Sequence, residues 1–141
     1  MGAKTALIYD DGDTRISCTN ISTVGRAVSA IIQKPAETAN KYLYISSFTV
    51  SPNEILASLE NATEEKWVVN KAKTAEAERV GRESMVKGDF SGIRSLLARL
   101  MFGADTCGNF EQEPTLANKL MDLPVESLDE TCKAVIEGKL P

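Results

Sequence analysis

Residues 40–60 read NKYLYISSFTVSPNEILASLE, a strand signal, a turn and a capped helix in succession. Tyr42, Leu43, Tyr44 and Ile45 form a β-favouring run, bounded upstream by Pro35 and Asn40 and downstream by a Ser/Thr-rich turn. Ser51-Pro52-Asn53-Glu54 then opens a helix. Ser51 can accept from the free backbone N–H groups, Pro52 takes the first helical position where no N–H is needed, and Glu54 completes a capping box. Ile55, Leu56 and Leu59 give this helix one apolar face.

Upstream, Lys4–Tyr9 and Thr14–Thr19 are two further β-favouring runs, separated by Asp10-Asp11-Gly12-Asp13. Asp and Gly tolerate positive φ, so the pattern predicts a hairpin. The acidic cluster lacks the spaced oxygen ligands and distal Glu of a calcium loop, which favours the turn over a metal site. A helix follows over Ile21–Gln33, with Ser22 or Thr23 as cap and Lys34-Pro35 as stop. Its face of Ile21, Val24, Val28, Ile31 and Ile32 is expected to pack inward on a sheet. Hairpin, helix, strand and helix in that order make an α/β pattern.

Downstream, Trp67-Val68-Val69 is a short β-favouring run, and Trp67 reads as core or pocket wall. Helices come next. Thr74 is expected to cap a polar one that runs through Lys87 and is weakened by Gly81. Asp89 is expected to cap another, with Ile93, Leu96, Leu97, Leu100 and Met101 inward and Gly103 at its end. Residues 104–114 read as an irregular loop around Phe110. Ser127-Leu128-Asp129-Glu130 is a second capping box, opening a last helix with Leu128, Cys132, Val135 and Ile136 inward.

The 141 residues suffice for one domain with a core, and a hydrophobic fraction of 43% with 26% charged residues is that of a soluble globular chain. A net charge of −4 argues against binding nucleic acid through phosphates. Lys66, Lys71, Lys73, Arg79, Arg82 and Lys87 cluster, but Glu64, Glu65, Glu76, Glu78 and Glu83 interleave with them, as on a solvated helix face. No stretch reads as a secretory leader or a membrane span. Cys18, Cys107 and Cys132 lack any C-x-x-C pairing and fit reduced thiols, so a cytoplasmic location is expected. The sequence has no histidine, which excludes His triads, His proton shuttles and His metal ligands. It also has neither a G-x-G-x-x-G nor a G-x-x-x-x-G-K-[ST] phosphate loop. No catalytic, cofactor-binding or metal-binding constellation is legible.

Several segments recur together in an informative order: the Asp11-Gly12-Asp13 turn, Val24-Gly25-Arg26, Pro35 with residues 38–45, Ser51 with Asn53-Glu54-Ile55, and Lys66-Trp67. In that order and spacing, the run Tyr9–Glu60 resembles the C-terminal half of the NmrA-like and isoflavone-reductase-like family of atypical short-chain dehydrogenases. Residues 87–92 and 100–103 resemble fungal members more loosely. The resemblance implies the C-terminal part of a Rossmann-like NAD(P)-binding fold, with a hairpin, one or two further strands and about five helices. Residues 1–70 would be the sheet-associated part and residues 71–141 the helical substrate-side part. Family members are about twice this length, and their glycine-rich loop and catalytic lysine lie in the half without a counterpart here. Many carry an acidic residue where this chain has Thr23.

The activity so implied is hydride transfer between NADP and a small-molecule substrate in a complete member, with no cofactor expected on this chain alone. The turn Ser46–Thr49 would face the crevice beyond the strand Tyr42–Ile45, making Ser47, Phe48 and Phe102 the expected substrate-binding residues, with Met101 and Phe110 as apolar walls. Read without the resemblance, these are turn, core and loop-anchor residues. Two alternatives accompany this reading. One is a non-catalytic regulatory module that pairs with a protein, or with itself, through free strand edges; the other is a fragment without independent function.

Overall fold

The computed structural model describes residues 4–105, 108–113 and 116–141. Cys107 lies outside them. The chain is α/β: strands β1 (Thr5–Tyr9), β2 (Ile16–Cys18), β3 (Phe48–Val50) and β4 (Val68–Ala72) alternate with helices α1 (Ile21–Gln33), α2 (Pro35–Thr38), α3 (Pro52–Thr63), α4 (Thr74–Val86), α5 (Gly92–Phe102) and α6 (Leu128–Ile136). The expected class therefore holds, and the parallel pairing of β1 with β4 is consistent with part of a Rossmann-like fold.

The strand pairing differs from the expected hairpin. β1 pairs in parallel with β4, Thr5 opposite Val68 and Tyr9 opposite Ala72, while β2 pairs antiparallel with β3, Ile16 opposite Val50. The Asp-Gly turn does form: the Gly12 N–H donates to Tyr9 O, Gly12 has φ +80°, and Asp11 accepts from the Asp13 N–H. It is pinned from outside, by Asn53 at the start of α3, whose amide donates to Asp11 O and Asp13 Oδ1 at 2.9 and 2.7 Å. A Cβ on Gly12 would lie 2.5 Å from Asn53 Oδ1, so this close approach requires glycine. The turn thus redirects the chain from one sheet to another.

Tyr42–Ile45 is not a strand. Tyr44 makes only an isolated parallel bridge to Leu116, with the Ala117 N–H donating to Tyr44 O at 2.8 Å. The strand lies just beyond, at Phe48–Val50, because β2 is available there as a partner. Ser51 caps α3 as expected. Its hydroxyl accepts from the Glu54 N–H at 3.2 Å, and Glu54 Oε2 accepts from the Ser51 N–H at 2.7 Å. At the far end of α3, Glu60 accepts from the Trp67 N–H, and the indole N–H donates to Thr63, leading the chain into β4.

Helix α1 is turned over relative to the expectation. Its N-cap is Asn20, and its buried residues are Thr23 and Ala27, against Ala117 and Met121 with Leu43, Ile45, Leu120 and Leu123 around them. The aliphatic face points outward, Ile21 66% exposed, Val28 53% and Ile32 73%. The smaller face is the one that fits: Ala27 meets the closely packed Ala117 and Met121, and the Thr23 hydroxyl is bonded to Glu126.

Other helix starts also move. Lys73 occupies the N-cap of α4, and Thr74 is its first residue. Asp89 accepts from the Ser91 N–H in the preceding turn, and α5 begins at Gly92. Ile93, Leu97, Leu100 and Met101 are exposed while Gly92 and Ala98 are buried, because α5 meets α4 through its glycine end. A Cβ on Gly81 would be 2.8 Å from Gly92 O, and one on Gly92 would be 2.5 Å from Gly81 O, so the two backbones cross in contact. Gly81 is therefore a packing residue. The outer side of α4 carries the Arg79–Glu76, Arg79–Glu83 and Arg82–Glu78 pairs of a solvated helix. In α6 the Ser127 hydroxyl accepts from the Glu130 N–H, Cys132 is buried, and Val135 and Ile136 are exposed. Among the described residues no helix is long and apolar enough to cross a membrane.

Candidate functional site: the cleft at Ser46–Phe48

The segment between the Tyr44 bridge and β3 is held by side chains in place of a strand neighbour. Asn118 brackets Ser46, its Oδ1 accepting from the Ser46 N–H at 3.1 Å and its Nδ2 donating to Ser46 O at 2.6 Å. On the other side, the Thr19 hydroxyl donates to Ile45 O and the Ser47 N–H donates to Cys18 O. Each buried main-chain group thereby finds a partner without a ladder. The result is an open cleft of about 590 Å³, walled by Ser46, Ser47 and Phe48 on one side and by Leu116, Asn118, Leu123, Pro124 and Val125 on the other.

Behind this cleft lies a polar knot that sequence reading did not anticipate, centred on Glu126. Its carboxylate accepts from Asn20 Nδ2 at 3.1 Å and from the fully buried Thr23 hydroxyl at 2.7 Å, and the Ser47 hydroxyl also hydrogen-bonds to it. Ser47 Oγ in turn accepts from the Asn20 N–H at 3.0 Å. Burial alone would raise the Glu126 pKa. The bonds from Ser47, Thr23 and Asn20, with the charge of Arg26, outweigh it and hold the carboxyl below the ordinary glutamate value. Glu126 is separated by some hundred residues from its partners, and its only local signal was a lone acid beside Pro124-Val125.

Of the expected substrate-binding residues, Ser47 and Phe48 line this cleft together. Phe102 does not. It stacks on Tyr9, with ring centroids 5.7 Å apart and planes 10° from parallel, beside α5. Phe110 packs against Tyr44 at 5.0 Å, and its N–H donates to Ser17 Oγ. The cleft carries no activated nucleophile or base among its described residues. The Ser47 hydroxyl is taken up between Asn20 and Glu126, and a carboxylate with a lowered pKa is a weak base toward it. Among the described residues no group of three or more His, Cys, Asp or Glu could hold a metal ion.

The parallel strand–helix junction that the chain does have, β4 to α4, does not fit a dinucleotide diphosphate. The β4–α4 junction is Ala72-Lys73-Thr74, without glycine, and the Thr74 N–H that would face a phosphate already donates to the Asp10 carboxylate at 3.2 Å. Asp10 Oδ2 also accepts from the Thr74 hydroxyl at 2.5 Å, placing a negative charge where the phosphate would be.

No family model matches the chain. Over 138 residues, 98% of its length, it is 33% identical to the protein named oxidoreductase aprR of Aspergillus flavus, of which this stretch makes up 46%. Over 135 residues, 94% of its length, it is 25% identical to oxidoreductase poxI of Penicillium oxalicum, of which the stretch makes up 43%. The chain spans about half the length of the curated relatives it matches. The chain is thus similar, along nearly its whole length, to proteins named oxidoreductase.

Proposed function

We propose that the chain is the substrate-side part of an NmrA-like, NAD(P)-dependent oxidoreductase, acting with an α/β part that carries the cofactor. The observation behind this is the outward aliphatic face of α1. Five β-branched side chains, Ile21, Val24, Val28, Ile31 and Ile32, stand exposed along one side of a helix whose opposite side is already packed. An exposed apolar patch of this kind is a binding surface, and β-branched residues suit the pleated face of a sheet. The cleft at Ser47 and Phe48 would then receive the substrate, with Phe48, Leu123 and Pro124 against its apolar body and Asn118 as a hydrogen-bonding group.

The test mixes the chain with the remainder of the Aspergillus flavus relative. Association is expected, with the amides of α1 gaining hydrogen-exchange protection and with saturable NADPH binding by the mixture. Val28→Glu should abolish both. NADPH binding to the chain alone at micromolar concentrations would sink the proposal. A second reading, a non-catalytic interaction module, draws on the outer edge of β1, which has no partner strand among the described residues. It predicts self-association by light scattering that Val28→Glu leaves intact.

A further inference from the structure

A second pair of clefts lies on the opposite side of β1 from the Asp-Gly turn's anchor in α3, between the β1–β4 sheet and the α4–α5 helical hairpin. One, of about 550 Å³, is lined by Leu7, Tyr9, Arg94, Leu97 and Phe102 among others. The other, of about 580 Å³, lies at the carboxyl ends of β1 and β4, around Asp10, Lys71 and Val80. The two share Tyr9 and Ser95 in their walls, so they adjoin along one groove face. Its size is that of a small-molecule site.

The charges along it are unequal in a telling way. Both carboxylates lining the groove are already engaged, Asp10 by the Thr74 N–H and hydroxyl and Glu76 by Arg79. Of the cations, Lys73 stands 3.9 Å from Asp10, while Arg94 has no ion-pair or side-chain hydrogen-bond partner among the described residues. A chain of net charge −4 therefore presents locally uncompensated positive charge beside an apolar wall. That wall includes the near-parallel Tyr9–Phe102 stack, which a further flat ring can extend.

We propose that this groove binds a flat, apolar carboxylate, with its ring system against Tyr9, Leu97 and Phe102 and its acid group on the Arg94 guanidinium. An arginine fork suits a carboxylate in two-point contact. The site is separate from the Ser47–Phe48 cleft and does not depend on the role proposed for that cleft.

The probe is 2-naphthoate, with neutral 2-naphthamide as its isostere, each titrated into the 141-residue chain and followed by amide NMR. Naphthoate should shift the amides of residues 7–10, 71–77 and 94–102 and leave those of residues 46–48 and 116–126 in place. It should bind about threefold or more tightly than the amide, the scale of a partly exposed charge-assisted contact. Arg94→Glu, at an exposed position, should erase that preference. The proposal is overturned by shifts confined to α1, by equal affinity for the two probes, or by a preference that survives Arg94→Glu. A Phe48→Ala variant separates the two sites, since it should leave naphthoate binding unchanged while disturbing the other cleft.

Discussion

Gly25 and Gly81 stand at interior positions of α1 and α4, and replacing each by alanine reads out the helix crossing directly. Helix propensity favours alanine by about 1 kcal/mol at either site. At Gly25 no atom lies within 4 Å of the added Cβ, so the gain is kept in full. At Gly81 the Cβ falls 2.8 Å from Gly92 O and 3.0 Å from Leu96 Cγ. The first of these is backbone and cannot swing away, so α4 and α5 must separate. Overpacking of this kind costs roughly 1–3 kcal/mol, which turns the gain into a loss of up to about 2 kcal/mol. The difference between the two variants isolates the steric term. At roughly 2–4 °C per kcal/mol it amounts to about 2–12 °C in Tm, with Gly25→Ala above the parent protein and Gly81→Ala below it or level with it. Thermal unfolding followed by circular dichroism measures it. If Gly81→Ala rises in Tm alongside Gly25→Ala, the helices do not cross at that distance.

Ser51→Ala removes one half of the α3 capping box and should cost about 1 kcal/mol, read as a lower urea midpoint at unchanged slope. Glu126→Gln leaves the buried Thr23 hydroxyl without its carboxylate acceptor and should cost roughly 1–2 kcal/mol; a midpoint equal to that of the parent would show that the knot carries no stability. Asp10 is held below its ordinary value of 3.8, first by the Thr74 hydroxyl, against burial, and then by the Thr74 N–H, Lys73 and Arg99. Its pKa is lower folded than unfolded, so its stabilisation is present in full above the unfolded value and is lost as pH falls through the folded one. Asp10→Asn, which tolerates the left-handed backbone there (φ 53°), should flatten the urea midpoint against pH across that window. Undiminished acid sensitivity in this variant would place the titrating group elsewhere.

Much of the local architecture was legible because short-range groups make it. Ser51-Pro52-Asn53-Glu54 carries its donors, acceptors and fixed φ within four residues, and the box forms as written. The Asp-Gly turn forms for the same reason, as does the start of α6 at Ser127. In the candidate site, Ser47 and Phe48 were visible as a turn after a β-favouring run. Glu126 was not, since no spacing rule links it to Thr23 and Asn20. The same holds for the groove that Phe102 shares with Tyr9, which joins the end of β1 to a helix more than ninety residues later.

What the sequence by itself determined is therefore the inventory: an α/β chain, the approximate places of its longer helices and of the Asp-Gly turn, and the absence of histidine chemistry and glycine-rich phosphate loops. Tertiary structure alone decided the partners. A β-favouring run becomes a strand only where another strand offers its unpaired N–H and C=O groups, so Phe48–Val50 pairs with β2 while Tyr42–Ile45 stops at one bridge. The buried face of α1 was likewise settled by what lies beside it: Ala117 and Met121 accept Ala27, Glu126 accepts from the Thr23 hydroxyl, and the larger Ile and Val side chains of α1 stay outside. Periodicity marks which residues share a face, but only the space left by distant segments determines which face is covered.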